Sequence, residues 1–310
     1  MSVVVGFWTG RRLINPGKEF LSLRDELARG ISVEARDESV EFILSLRCDD
    51  GGFRGRGASS DLYYTFFALA VLCTLNFKFD AMEVERYLDS FDEDSSLDVV
   101  HTCCLIRCYN LLRLNEASNG TVTNVIGDLL HRKRMKRKTM VLQEMAKKTK
   151  RIYDVFLIAQ TGRELGLDLV TREIMERVLN DGKRDDGGYS ESNVRYGLVT
   201  VTAAAIWLTM RLDRSVNEIT VDWIMKTLKK NSGFCVTIRN DLPDLLSTAA
   251  AVQAMKWAGR SIKNVAPGIL TFVEECRRDN GSFGATTDSV AGDSEYLFYA
   301  LSTIAHLLSN

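Results

Sequence analysis

The chain has 310 residues, 45% of them apolar and 26% charged, with a formal net charge of −1. Such a composition supplies a large core and argues against a strongly basic nucleic-acid binder. Three prolines against 22 glycines favour helices, and seven cysteines without a CxxC pair read as reduced, mostly buried thiols of a cytoplasmic protein. The apolar run before Arg11 and Arg12 is too short for a signal core or a membrane span.

In chain order, residues 1–35 form a lead-in whose periodic part, Glu19 to Leu27, predicts a short helix covering one end of a helical array. Six helical hairpins then fill residues 36–310. The first pairs Glu38–Arg47 with Asp61–Leu75, where Asp61 is a good N-cap and Tyr64, Phe67, Ala68, Val71, Leu72 and Leu75 form an apolar stripe. The second pairs Met82–Leu88 with Leu97–Leu114. The third pairs Val122–Leu130 with Arg151–Leu165 and is interrupted by a basic insertion at about 131–151. The last three pair Thr171–Asn180 with Tyr196–Leu212, Val221–Lys230 with Leu245–Ala258, and Pro267–Arg277 with Ser294–Leu308. In every pair the second helix is the more apolar, which predicts six buried inner helices ringed by six amphipathic ones. The fold class expected is therefore all-α, an α/α toroid (α6/α6 barrel) in one domain.

Glycine-aromatic turns punctuate the hairpins: Asp49-Asp50-Gly51-Gly52-Phe53, Asp185-Asp186-Gly187-Gly188-Tyr189, Asn231-Ser232-Gly233-Phe234 and Asp279-Asn280-Gly281-Ser282-Phe283. Their aromatics are 136, 45 and 49 residues apart. Because 136 is close to three times 45, two degenerate copies are expected in the gap, at Leu88-Asp89-Ser90-Phe91 and near residues 131–145.

These turns and hairpins resemble the prenyltransferase and squalene-cyclase repeat family of α/α toroids, and most nearly the β subunits of protein prenyltransferases. The resemblance rests on Gly51-Gly52-Phe53-Arg54-Gly55-Arg56, then Asp61-Leu62-Tyr63-Tyr64, and one hairpin later Asp98-Val99-Val100-His101-Thr102. It implies an enzyme that binds an isoprenoid diphosphate in its central cavity and transfers or rearranges the chain. Asp61 and His101 match positions that ligate zinc in the family, and Tyr63 stands at its cysteine position, so Asp61, His101 and Tyr63 are the candidate catalytic residues. Arg56 and Tyr64 match groups that hold the diphosphate.

Read from chemistry, Arg54 and Arg56 lie in a glycine-flanked loop at a helix start, where guanidinium groups and backbone N–H groups can hold phosphate. Tyr296 and Trp207 belong to the aromatics that would wall an apolar cavity. Arg132 to Arg151 carries ten Lys or Arg and one Glu, a surface for anionic lipid headgroups or a partner subunit; without interleaved aromatics it does not read as an RNA site. Two other readings stay open: a non-catalytic toroid binding a lipid or a protein, and a metal-free single-barrel cyclase. The cyclase needs a carboxyl with a raised pKa turned into the cavity, from Asp94 of the Asp92-Glu93-Asp94-Ser95 stretch, Asp61 or Asp293.

Overall fold

The computed structural model describes residues 18–91, 96–119, 125–191 and 193–308. Among them the regular elements are helices: α1 (Lys18–Leu27), α2 (Val33–Ser45), α3 (Leu62–Thr74), α4 (Ala81–Asp89), α5 (Val99–Asn119), α6 (Val125–Lys148), α7 (Ile152–Glu164), α8 (Arg172–Gly182), α9 (Val199–Arg211), α10 (Glu218–Met225), α11 (Leu245–Ala258), α12 (Ala266–Glu275) and α13 (Ser294–Leu308). The odd-numbered helices from α3 to α13 each pack on the next, and α13 packs back on α3, so the ring closes. Their partners α2, α4, α6, α8, α10 and α12 pack outside.

The ring follows from the inner helices having no polar face. In α3 every residue from Thr65 to Leu72 is buried, and Val201 to Leu208 of α9 are buried likewise. A cylinder apolar all round has to be covered on all sides, and a closed ring with an outer layer does that without edges.

The turns hold each hairpin by one repeated device. Gly51, Gly187 and Gly281 take φ of 92°, 96° and 78°, and in the turn at 231–234 Asn231 takes φ of 55°. The carboxylates of Asp50 and Asp186 accept the N–H two residues on, from Gly52 at 3.0 Å and Gly188 at 3.1 Å. The turn aromatic, buried at Phe53 and Phe234 and half-buried at Tyr189, then donates its N–H to a threonine of the following inner helix: Phe53 to Thr65, Tyr189 to Thr202 and Phe234 to Thr248, each at 2.9 Å.

The third hairpin departs from expectation. The basic stretch is not an insertion: α6 runs through it, because Lys, Arg, Met, Leu and Gln are strong helix formers and Met135, Lys138, Thr139, Leu142 and Ala146 form a buried stripe at helical spacing. The turn copy expected near 131–145 therefore does not exist. The chain passes from α6 to α7 through 149–151, where Thr149 Oγ1 accepts the Arg151 N–H and donates to Asp154.

α1 lies across the far ends of the inner helices. Arg24 meets Asn76 just beyond α3, and Lys256 and His306, late in α11 and α13, meet Glu26. Phe20, Leu23 and Leu27 of α1 are buried beneath it.

Thr248→Val keeps the shape and leaves the buried Phe234 N–H without an acceptor. Urea unfolding should show a loss of about 1–3 kcal/mol. The exposed Thr271→Val should stay within about 0.5 kcal/mol of wild type.

Candidate functional site

The ring encloses a cavity of about 330 Å³, and register alone sorts its wall into layers. Each inner helix follows an outer helix running the opposite way, so all six start at one rim. The second residues of five inner helices, Tyr63, Val100, Tyr153, Thr200 and Leu246, face the cavity near that rim. The fifth and sixth residues make the middle layer: Phe66 and Phe67, Cys103 and Cys104, Phe156 and Leu157, Ala203 and Ala204, Ala249 and Ala250, Phe298 and Tyr299. Ninth residues make the next layer, Arg107, Gln160, Gln253 and Ser302, and Trp257, the thirteenth residue of α11, lines the cavity one turn deeper. Positions 2, 5, 6 and 9 are one face of an α-helix, so the layers repeat one geometric rule around the ring. Phe20 and Leu23 of α1 form the floor, and Arg151, at the start of α7, stands at the mouth.

The middle layer is aromatic on one side and open on the other. Phe67 packs edge-on against Tyr63 at 4.9 Å and Tyr299 at 5.5 Å, and meets Phe298 at 5.7 Å. Across the ring Phe156 meets Trp257 at 6.1 Å. The alanines of α9 and α11 leave the empty volume against their own helices. Such a wall accepts an apolar chain, and the faces of its rings can meet positive charge.

A carboxyl missed in the sequence sits at the upper layer. Glu295 is the second residue of α13, 9% exposed, and its Oε1 accepts the Tyr63 hydroxyl at 2.6 Å. Burial pushes the Glu295 carboxyl up, and the bond from Tyr63 holds it back in part. Burial first, then the nearness of Glu295, pushes the Tyr63 phenol up as well. The signal was in the sequence: with helix starts aligned, Glu295 takes the same place as Tyr63.

The predicted site residues divide between rim, wall and scaffold. Arg56 Nε bonds Asp293 Oδ2 at 3.0 Å, with its guanidinium 5.5 Å from the Tyr296 ring centre, and Tyr64 stands edge-on to Tyr63. The Cα of Gly55 lies so close to the Tyr64 ring that a Cβ there would collide with it, which is why a glycine separates the two arginines. Arg56, Tyr64 and Tyr296 thus share the rim. Tyr63 is on the cavity wall. Arg54 turns away and donates to the Ser45 carbonyl at 3.3 Å, at the end of α2. Trp207 does not line the cavity; it is buried behind the wall, against Phe156 at 5.4 Å and Trp257 at 6.5 Å.

Asp61 and His101 are occupied by helix starts. The Asp61 carboxylate accepts the N–H groups of Tyr63 and Tyr64, at 2.8 and 3.2 Å. Asp98 accepts both the His101 N–H, at 2.9 Å, and the His101 ring Nδ1, at 2.8 Å. Asp244 and Asp293 cap α11 and α13 in the same way, so an aspartate at this position caps four of the six inner helices. Among the described residues no three His, Cys, Asp or Glu side chains gather where a metal ion could be held. With Asp61 and His101 engaged and Tyr63 donating to Glu295, the donor set does not fit zinc.

Of the carboxyls considered for a cyclase, Asp61 caps α3 and Asp293 holds Arg56 while capping α13. The Asp92-Glu93-Asp94-Ser95 stretch lies outside the described residues. All seven cysteines are free; burial pushes the Cys103 thiol, on the wall, up to about 12.

On the outer surface, α6 exposes Lys133, Lys136, Arg137, Lys147 and Lys148 around Met140 and Val141, which are 58% and 41% exposed. No described helix is long and apolar enough to cross a membrane.

The Glu295 shift has a measurable consequence. Above its ordinary value of 4.5 and below its raised one, the folded protein keeps a proton that the unfolded chain has released. This group therefore favours folding at low pH, and the contribution is lost as pH climbs through the raised value. Glu295→Gln keeps an acceptor for Tyr63 and removes the titration, so thermal melts should match wild type near about pH 4 and lie above it near about pH 8. A difference independent of pH would refute the assignment.

The family model for the prenyltransferase alpha-alpha toroid domain matches residues 20–105 and 186–310. No curated protein sequence matches the chain. Among solved structures, the type II terpene cyclase MstE from Scytonema superposes with a TM-score of 0.56 at 13% identity, over 92% of this chain and 98% of that one. A variant of that enzyme holding its substrate, geranylgeranyl dihydroxybenzoate, gives 0.54 at 12% identity, over 93% and 98%. The Candida albicans protein geranylgeranyltransferase-I complexed with GGPP gives 0.51 at 12%, over 94% and 90%. At such identities the structural likeness speaks for the fold, and with the family match over both ends of the ring it places this chain in the prenyltransferase alpha-alpha toroid domain family.

Proposed function

We propose that this protein binds an isoprenoid diphosphate with its chain in the central cavity and acts on the chain there without a metal ion. The observation that carries the reading is the cavity itself: an aromatic middle layer, closed by α1 and lined at the helix starts by Arg151. Its volume falls at the lower end of the roughly 300–1,000 Å³ common for ligand sites. The solved relatives that hold a geranylgeranyl group support the choice of ligand class.

The chemistry follows from where charge would appear. Arg151 meets Asp154 at 3.6 Å with its side chain 60% exposed, so its guanidinium can turn to an anionic head at the mouth. Departure of diphosphate would leave an allylic cation facing Phe67, Tyr299 and Phe156. The Tyr63 oxygen would take a proton from carbon beside that cation while passing its own to Glu295, and the bonding pair left on carbon becomes the new alkene. The same pair favours a second reading. A protonated Glu295 behind Tyr63 can run the relay in reverse, protonating an alkene and starting a cyclisation that keeps the diphosphate.

Farnesyl and geranylgeranyl diphosphates should quench the fluorescence of Trp257 saturably, and Ala203→Trp, which fills the cavity, should abolish the effect. Arg151→Ala should weaken binding about tenfold, the worth of one charge-assisted contact. Product mass and released diphosphate then separate the two reactions. Binding unchanged by Ala203→Trp would overturn the reading.

The exposed basic face of α6 supports docking on an anionic membrane, from which such a chain could be drawn. Vesicles containing phosphatidylserine should sediment the protein, and Lys133→Glu with Lys136→Glu should release it. Equal sedimentation with neutral vesicles would exclude this role.

A further inference from the structure

A second pocket, of about 230 Å³, lies outside the ring between α8, α9 and α10. It takes Ile206 and Thr209 from α9, away from the face on which Thr200, Ala203 and Ala204 line the central cavity.

The pocket exists because this hairpin departs from the first at matched places. The eleventh residue of α9 is Thr209, where α3 has Leu72 and α11 has Met255, both fully buried. The turn aromatic is Tyr189, where the other glycine-aromatic turns have the buried rings of Phe53, Phe234 and Phe283. Between the positive-φ residue after the inner helix and the next N-cap, the first hairpin has Phe77-Lys78-Phe79, with both rings against the core. Here the same three places hold Arg214-Ser215-Val216. Large apolar side chains are thus replaced by shorter or charged ones around a single space.

A charge is left over in it. Arg47 and Arg277 each form a backbone bridge to the turn aromatic that follows, and each pairs with a glutamate of a neighbouring outer helix, Glu83 and Glu38. Lys183 bridges to Tyr189 in the same way, but counted from the N-cap α10 offers Thr220 where α4 has Glu83. Among the described residues Lys183 forms no ion pair, and no Asp or Glu lines the pocket. Arg214 meets Glu176 at 2.5 Å, yet shares it with Arg172 at 3.5 Å. Thr220 is 5% exposed, and neither its hydroxyl nor the Tyr189 phenol has a hydrogen-bond partner among the described residues.

Two cations and two unspent hydroxyls converge on one space beside Leu179, Ile206 and Val216. That set suits an anion with more than two acceptor oxygens, attached to a compact apolar body. We propose that this pocket binds the phosphate group of a small phosphate monoester, at a site separate from the central cavity. The site does not depend on what fills that cavity.

Calorimetry on the full chain, with phenyl phosphate as the probe, tests the proposal. Phenyl phosphate should bind about tenfold tighter than benzoate or inorganic phosphate, and Lys183→Ala should weaken it about tenfold. Thr220→Glu, which supplies the carboxylate that Arg47 finds in Glu83, should abolish binding. No binding by the wild-type protein, or binding that survives Lys183→Ala undiminished, would overturn the site. Benzoate bound as tightly as phenyl phosphate would overturn the choice of phosphate, and inorganic phosphate bound as tightly would overturn the ester. Should Thr220→Glu fail to fold in a thermal melt, the exposed Lys183→Ala decides alone.

Discussion

A helix with no polar face cannot rest on a surface; it has to lie among others. α3 and α9, buried along nearly their whole length, impose that condition on their neighbours, and the ring from α3 round to α13 satisfies it for all six inner helices at once. Closure has a second effect. Six helices around one axis cannot bring their side chains to the centre everywhere, and the residual space takes its character from the residues that face inward. Where these are Ala203, Ala204, Ala249 and Ala250 the space is left empty, and where they are Phe67, Phe156 and Tyr299 it is walled. The cavity is thus the remainder of the packing problem, shaped by a choice of side-chain volume at fixed positions.

The parallel direction of the inner helices decides where charges go. All start at one rim, where their unpaired N–H groups need acceptors, and Asp61, Asp98, Asp244 and Asp293 provide them from the residues just before each helix. Glu191 does the same for α7 from the next turn, accepting the Ile152 and Tyr153 N–H groups at 3.2 Å. Carboxylates spent on caps are held by the backbone, which is why the Asp61 and Asp98-to-His101 motifs build helix starts here.

Much of the fold was legible because it depends on period and punctuation. The six hairpins, the inner and outer distinction and the Asp61 cap all follow from local patterns that the structure keeps. The third hairpin misled, since a run of lysines and arginines reads as an insertion until the buried stripe from Met135 to Ala146 is noticed within it. The site was less legible for a different reason. Motif resemblance drew attention to residues adjacent in sequence, whereas the cavity is assembled from equivalent positions on separate helices. Arg107 falls on the same stripe as Cys103, Cys104 and Leu111, and a charge on an otherwise apolar stripe was its visible mark. Trp207 occupies the ninth place of α9, yet its bulk leaves it behind the wall, an outcome that no single-helix pattern expresses.

The two ends of the cavity differ in what they can do with a proton. In the deep layer Arg107 and Glu164 pair with each other, and burial holds the His306 ring neutral at ordinary pH. In the upper layer burial raises Tyr63 and Glu295, and pushes Tyr153 up to about 12 with Glu295 adding to the effect. Three weakly acidic groups near one another, with a 2.6 Å hydrogen bond between two of them, hold protons in reserve and can accept a shared one. On the reading proposed above, bond making and breaking belong near the rim, where Arg151 stands. The opposite end closes on Phe20 and Leu23 of α1, an apolar floor with no proton to exchange.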